Sequence, residues 1–160
     1  MTQKTPDLLR VIVAGALVLL VVHTLGRFIY TPLLPWLVKD GLLSLKQGAD
    51  VASWNYLGYL IGALLAMRWH RVEQIHKVLP WALAINVLCT LLQTQAESAE
   101  SLSALRLING ITNGIVFVQA PSLILEWLAR HGRAMASGLV YLGVGAGLLV
   151  SSAFVAVPAQ

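Results

Sequence analysis

Five long apolar segments, separated by short polar loops, dominate the sequence. They cover residues 8–37, 51–69, 78–94, 102–128 and 135–157. A helix that crosses a bilayer needs about 20 mostly apolar residues. The pattern therefore predicts an all-α integral membrane protein with about five transmembrane helices, forming a single transmembrane domain over residues 1–160.

The composition excludes a water-soluble domain. Hydrophobic residues make up 58% of the chain and charged residues 11%, whereas soluble domains carry roughly 25% charged residues. The net charge of +4 does not indicate a nucleic-acid partner, since no basic stripe with interleaved aromatics is present. The first apolar segment is too long for a signal-peptide core. The lipid bilayer is the expected partner.

The distribution of Lys and Arg predicts the orientation of the helices. With the amino terminus inside, the inner side carries seven of these residues and the outer side two, Lys39 and Lys46. Inner loops of membrane proteins carry an excess of positive charge. We therefore expect a multi-pass protein of the bacterial inner (plasma) membrane with a cytoplasmic amino terminus.

Arg27 lies well inside the first apolar segment. A charged residue at this depth costs several kcal/mol and normally faces a bundle interior or a water-filled cavity. His23 and Tyr30 lie four residues before and three after it, so a regular helix would place all three on one face. The alternative is that Arg27 binds backbone carbonyls of a neighbouring helix or snorkels outward.

A second intramembrane cation, Arg106, lies near the outer end of the fourth segment, where snorkelling is easier. Because the helix interiors are electropositive, a bound solute is more plausibly anionic than cationic. The asparagines of the second and fourth segments suit two roles equally well. They could bind a solute, or they could form hydrogen bonds between helices. The candidates for a solute cavity are Arg27, Tyr30, His23, Asn55, Tyr59, Arg106, Asn109 and Asn113.

Small residues at four-residue spacing predict close helix packing. They are Gly58, Gly62, Gly110, Gly114, Gly143 and Gly147. No nucleophile–base pair, metal-ligand cluster or phosphate loop is evident, so the sequence predicts neither an enzyme nor a metal or other cofactor.

Several stretches together resemble the YbfB/YjiJ-like branch of the major facilitator superfamily. The most specific is Gly-Arg-Phe-Ile-Tyr-Thr-Pro-Leu-Leu-Pro at residues 26–35. Further similar stretches are residues 55–63, Leu102-x-x-x-Arg106-x-x-Asn109-Gly110, Pro121, residues 125–127 and residues 133–138.

The resemblance implies secondary transport by alternating access between two six-helix halves, with the first and fourth helices lining the cavity. Five helices would correspond to the amino-terminal half without its sixth helix, and the partner would be the missing carboxy-terminal half or another membrane chain. Two departures weaken parts of this expectation. Ala66 stands where the loop motif after the second helix has Asp, and the fifth helix lacks the Gly-Pro of the antiporter motif. The alternative is a small, non-transporting membrane protein that binds a partner through its glycine-rich helix faces.

Overall fold

The computed structural model describes residues 7–156, without the side chains of Leu25 and residues 154–156. This part of the chain contains helices and no strand. The helical elements are α1 (Leu8–His23), a π-helical turn (Thr24–Phe28), α2 (Tyr30–Lys39), α3 (Leu45–Ala66), α4 (Val72–Leu92) with a 3₁₀ turn (Gln93–Gln95), α5 (Ala99–Arg130), a 3₁₀ segment (Ala134–Tyr141) and α6 (Leu142–Ala156).

These elements form five spans, and the all-α membrane architecture is confirmed. Four helical stretches are long and apolar enough to cross a bilayer: Leu8–Lys39, Val72–Gln95, Ala99–Arg130 and Ala134–Ala153. The second span, α3, has 22 residues, which is about 33 Å of helix. Its amino-terminal part is less apolar because it carries Lys46, Gln47 and Asp50.

Capping residues, rather than hydropathy, determine where the helices begin. The second helix begins at Leu45, not at residue 51, because the Ser44 hydroxyl accepts from the Gln47 amide N–H at 3.2 Å. The Gln47 side chain accepts in return from the Ser44 N–H at 2.9 Å. This reciprocal capping box satisfies two otherwise free donors. Ser98 and Ser101 form the same arrangement before α5, so the fourth span begins at Ala99 rather than at residue 102.

The other predicted bounds also need correction. The third span begins at Val72, not at residue 78, and the Gln74 side chain accepts from the N–H of Arg71. The first and fourth spans continue to Lys39 and Arg130. They end before Gly41 and Gly132, whose positive φ angles of 73° and 67° suit glycine at the end of a helix. The fifth span starts as a 3₁₀ segment, and its predicted end at residue 157 lies outside the described residues.

The first span is not the single regular helix that was predicted. The Ile29 N–H donates to the Thr24 carbonyl at 3.0 Å, five residues back, which is the hydrogen bond of a π-helix. Pro32, which has no N–H, cannot pair with the carbonyl of Phe28 four residues before it. Such turns widen a helix and often occur at functional sites.

The distribution of side chains is inverted relative to a soluble protein. Large apolar residues are exposed, among them Trp81 at 72% and Leu149 at 75%. Most of the buried polar residues lie on the first span, α3, α4 and α5: His23, Thr24, Asn55, Asn86, Arg106, Asn109, Thr112, Asn113 and Gln119. Lipid covers an apolar exterior without cost, while polar groups need partners inside the bundle.

Glycine faces bring α3 and α5 into backbone contact. A Cβ atom added at Gly58 or Gly62 would overlap the carbonyl of Leu107 or Ile111 on α5. Gly110 and Gly114 fit the α3 backbone in the same way, each against a carbonyl of that helix. On α6, Gly143 meets the backbone of Ala16 and Gly147 meets Thr24. All six glycines expected to support packing therefore do so within the chain.

Candidate functional site

The guanidinium of Arg27 lies on the faces of aromatic rings. Its central carbon is 4.3 Å from the ring centre of Tyr59, 5.2 Å from that of Tyr56 and 5.8 Å from that of Phe28. The side chain is half-buried, and its Nε atom, which is itself buried, has no hydrogen-bond partner. A guanidinium on ring faces is attracted by their negative quadrupoles, but this attraction leaves its N–H groups free for an acceptor.

Five rings from four spans form what we call the aromatic cluster: His23, Phe28, Tyr59, Phe117 and Tyr141. Phe117 of α5 lies at its centre, with ring centres of His23, Tyr59 and Tyr141 at 4.8, 6.0 and 6.5 Å. The His23 and Phe28 ring centres are 5.9 Å apart. These spacings suit tilted and edge-to-face ring contacts. The cluster therefore joins the first span and Tyr59 of α3, which lie beside Arg27, to Tyr141 at the end of the 3₁₀ segment.

Arg106 occupies a different environment. It is 3% exposed, and its Nη1 donates to the carbonyl oxygen of Gly26 at 3.1 Å. Its guanidinium carbon lies 4.5 Å from the ring centre of Tyr30, whose hydroxyl donates to the Gly48 carbonyl of α3 at 3.0 Å. Arg106 therefore does not snorkel. It binds a backbone carbonyl of the neighbouring span, a role that the sequence had offered as the alternative for Arg27.

The three predicted asparagines make hydrogen bonds between helices. Asn55 donates to the Arg106 carbonyl at 2.9 Å, Asn109 to the Asn86 carbonyl at 3.2 Å and Asn113 to the Val22 carbonyl at 3.2 Å. All three are almost fully buried. Their amide nitrogens are thus committed to neighbouring helices, which favours the packing role over solute binding.

The predicted site residues therefore separate into two groups. Arg27, Tyr59 and His23 belong to the ring-lined region, whereas Arg106 and Tyr30 form a buried contact between α5, the first span and α3. His23 also directs its Nδ1 to the Leu19 carbonyl at 3.2 Å, one turn earlier in its own helix.

The cavity candidates chosen from the sequence omit several contributors to this region. Phe28 and Tyr56 are neighbours of Arg27, and Tyr141 completes the aromatic cluster. Asn86 of α4 pairs with Asn109 and with Thr112 Oγ1 at 3.0 Å. An intramembrane asparagine is itself a signal, and Asn86 could have been found by the same rule that selected Asn109. Tyr141 carried no such signal because its segment has no charged or amide side chain.

Metal binding finds no support in the described residues, among which no group of three or more His, Cys, Asp or Glu side chains is close enough to hold an ion.

Comparison with known proteins identifies a family. A family model described as "Uncharacterised MFS-type transporter YbfB" matches residues 19–160, which include the π-helical turn, Arg27 and Arg106. Searches of curated proteins and of solved structures gave no match. The family match covers most of the chain and agrees with its multi-span helical fold and with the resemblance of residues 26–35. The chain therefore belongs to the YbfB-like family of major facilitator superfamily transporters.

Proposed function

We propose that this chain supplies the amino-terminal helices of a secondary transporter that moves a small anionic solute by alternating access, with Arg27 as its principal anion-binding group. The observation that carries the proposal is the environment of Arg27. Its guanidinium lies half-buried on Tyr59 and Tyr56, with Nε free of any hydrogen-bond partner.

The missing counter-charge supports an anionic ligand. Within residues 7–156 the only ion pair joins Glu126 and Arg130, far along α5 from the residues that surround Arg27. An arginine at this depth is costly unless it is paired or faces water. Ring faces lower that cost only partly. A carboxylate or similar anion would complete the site with charge-assisted hydrogen bonds.

Arg106 supports the same site indirectly. Its side chain is buried and is bonded to the carbonyl of Gly26, so a solute has little access to it. The Gly26 carbonyl belongs to the π-helical turn that carries Arg27. Arg106 is therefore a positioning residue, which holds the backbone from which Arg27 extends.

Transport by alternating access requires a second helical unit facing this one, which would be the carboxy-terminal half or another membrane chain. The excess of Lys and Arg on one side supports a cytoplasmic amino terminus in the bacterial inner membrane.

The packing of the glycines argues against the alternative of a non-transporting protein that binds a partner through its glycine-rich faces. The backbone of the opposing helix occupies the space beside four of these glycines, Gly58, Gly62, Gly110 and Gly114. These faces are therefore not free to receive a partner.

Ligand binding by the purified chain in lipid nanodiscs tests the proposal. We expect monocarboxylates to bind and the matched neutral amides, such as acetamide for acetate, to fail. Arg27→Gln should weaken carboxylate binding at least tenfold, because it removes the charge that pairs with the anion. The control is Arg130→Gln, which changes an exposed arginine and should leave binding unchanged. Equal binding of carboxylate and amide, or wild-type affinity in Arg27→Gln, would contradict the proposal.

A further inference from the structure

A groove of about 190 Å³ lies beside the aromatic cluster, between α5 and the 3₁₀ segment Ala134–Tyr141. Phe117 and Tyr141 of the cluster form part of its lining, together with Pro121 and Val140. An apolar cavity of about 150 Å³ is enough to hold a benzene molecule. The groove, which Ser122 and Ser137 also line, has volume enough for one six-membered ring.

The rings connect this groove to the cation. Phe117 lines the groove and contacts Tyr59 at 6.0 Å between ring centres, and Tyr59 lies under the Arg27 guanidinium at 4.3 Å. Phe117 and Tyr59 are half-buried, and Tyr141 is 48% exposed. Ring contacts through Phe117 and Tyr59 therefore link the groove to the Arg27 guanidinium.

The hydrogen-bond donors nearby do not suit a strongly hydrated inorganic anion. Such an anion needs several hydrogen-bond donors to replace its water. The amide nitrogens of Asn55, Asn109 and Asn113 already donate to backbone carbonyls, and Arg106 donates to Gly26. The Nε atom of Arg106 is also unpartnered, but Arg106 is only 3% exposed. Arg27 is half-buried beside several rings, which suits a ligand with one negative charge and a flat apolar body.

From this combination we infer the substrate class: a single-ring aromatic monocarboxylate, its carboxylate on Arg27 and its ring against Phe117, Tyr59 and the adjoining groove. This inference rests on the proposed binding of an anion by Arg27. It adds that the ring of the ligand, and not only its charge, is recognised. Ring–ring contacts contribute beyond the burial of apolar area, so an aromatic ligand should exceed a saturated one of the same size.

Three carboxylates test this inference on the complete 160-residue chain in nanodiscs: phenylacetate, cyclohexylacetate and acetate. We expect phenylacetate to bind at least about fivefold more tightly than cyclohexylacetate, which has the same carbon skeleton without the π-system. Acetate should be the weakest. Phe117→Leu should abolish the difference between the two ring compounds. Tyr141→Leu, at a half-exposed position, should reduce the difference if Phe117→Leu does not fold.

The matched control is Trp81→Leu, which removes an aromatic ring that is 72% exposed and lies outside the cluster. It should leave all three affinities unchanged. Equal binding of phenylacetate and cyclohexylacetate, or a preference that survives both cluster variants, would overturn the aromatic assignment while leaving anion binding intact. Failure of all three carboxylates to bind would overturn the aromatic assignment and the proposed function together.

Discussion

The Arg106 side chain donates to the carbonyl oxygen of Gly26 at 3.1 Å, and Gly26 directly precedes Arg27. The two intramembrane arginines are therefore linked through the backbone of the π-helical turn, although they have different surroundings. Arg106 is buried over the Tyr30 ring, whereas Arg27 is half-buried over Tyr59. One arginine holds the turn in place and the other extends from it.

The first prediction concerns this link. Arg106→Gln should lower the free energy of unfolding by about 1.5–3 kcal/mol, because a hydrogen bond from a charged donor to a buried carbonyl is lost. It should also weaken carboxylate binding through displacement of Arg27. Unfolding in an SDS titration and binding of labelled carboxylate measure the two effects. Unchanged stability and unchanged binding would show that the turn does not depend on Arg106.

The second prediction concerns the contact between α3 and α5. Gly62→Ala should destabilise the protein by about 1–3 kcal/mol, because the added Cβ overlaps the Ile111 backbone and overpacking has this cost. Gly145→Ala is the matched control, since nothing lies within 4 Å of its added Cβ. Alanine also favours helix over glycine, so the control should be neutral or stabilising. If the two variants lost equal stability, the glycine contact would be in doubt.

The third prediction concerns Asn86. Its amide donates to the Asn109 carbonyl and to Thr112 Oγ1, and its carbonyl accepts from Asn109. Asn86→Ala should cost between about 0.6 and about 1.7 kcal/mol, which are the average and the largest value measured for hydrogen bonds between membrane helices. Ser53→Ala serves as the control, because the exposed Ser53 hydroxyl bonds only within its own helix, to Ala49. Equal stability of wild type and Asn86→Ala would remove the case for an α4–α5 polar contact.

Most of the fold could be predicted from the sequence, because a bilayer imposes a length and a hydropathy that short windows reveal. The helix ends could not be predicted in this way. Residues 45–50 include the polar Lys46, Gln47 and Asp50, and this stretch was assigned to a loop. The Ser44–Gln47 capping box nevertheless starts α3 there. Hydropathy locates the lipid-exposed part of a helix, whereas local hydrogen bonds determine where the helix begins.

The site was predicted less completely. The cost of buried charge identified Arg27 and Arg106, but it could not show which of them would bind a backbone carbonyl. That choice depends on the π-helical turn, which presents the Gly26 carbonyl to α5. The asparagines were assigned to either role, and their bonds to Arg106, Asn86 and Val22 became evident only from the packing.

The fourth prediction concerns orientation. Single cysteines at Lys46 and at Arg133, introduced after Cys89→Ser, should react with a membrane-impermeant thiol reagent from opposite sides. We expect Lys46→Cys to be labelled from outside intact cells and Arg133→Cys only after the membrane is opened, because the inner side carries the excess of Lys and Arg. The reverse pattern would invert the proposed topology.

Direct contact between Arg27 and a bound carboxylate is the central claim, and solid-state NMR can measure it. With carboxylate-¹³C acetate or phenylacetate bound to ¹⁵N-arginine-labelled chain in nanodiscs, the ¹³C–¹⁵N dipolar coupling reports a guanidinium within hydrogen-bonding reach. We predict a strong coupling in the wild type and in Arg130→Lys that disappears in Arg27→Lys. A coupling that is absent from the wild type, or that persists in Arg27→Lys, would contradict the assignment of Arg27 as the anion-binding residue.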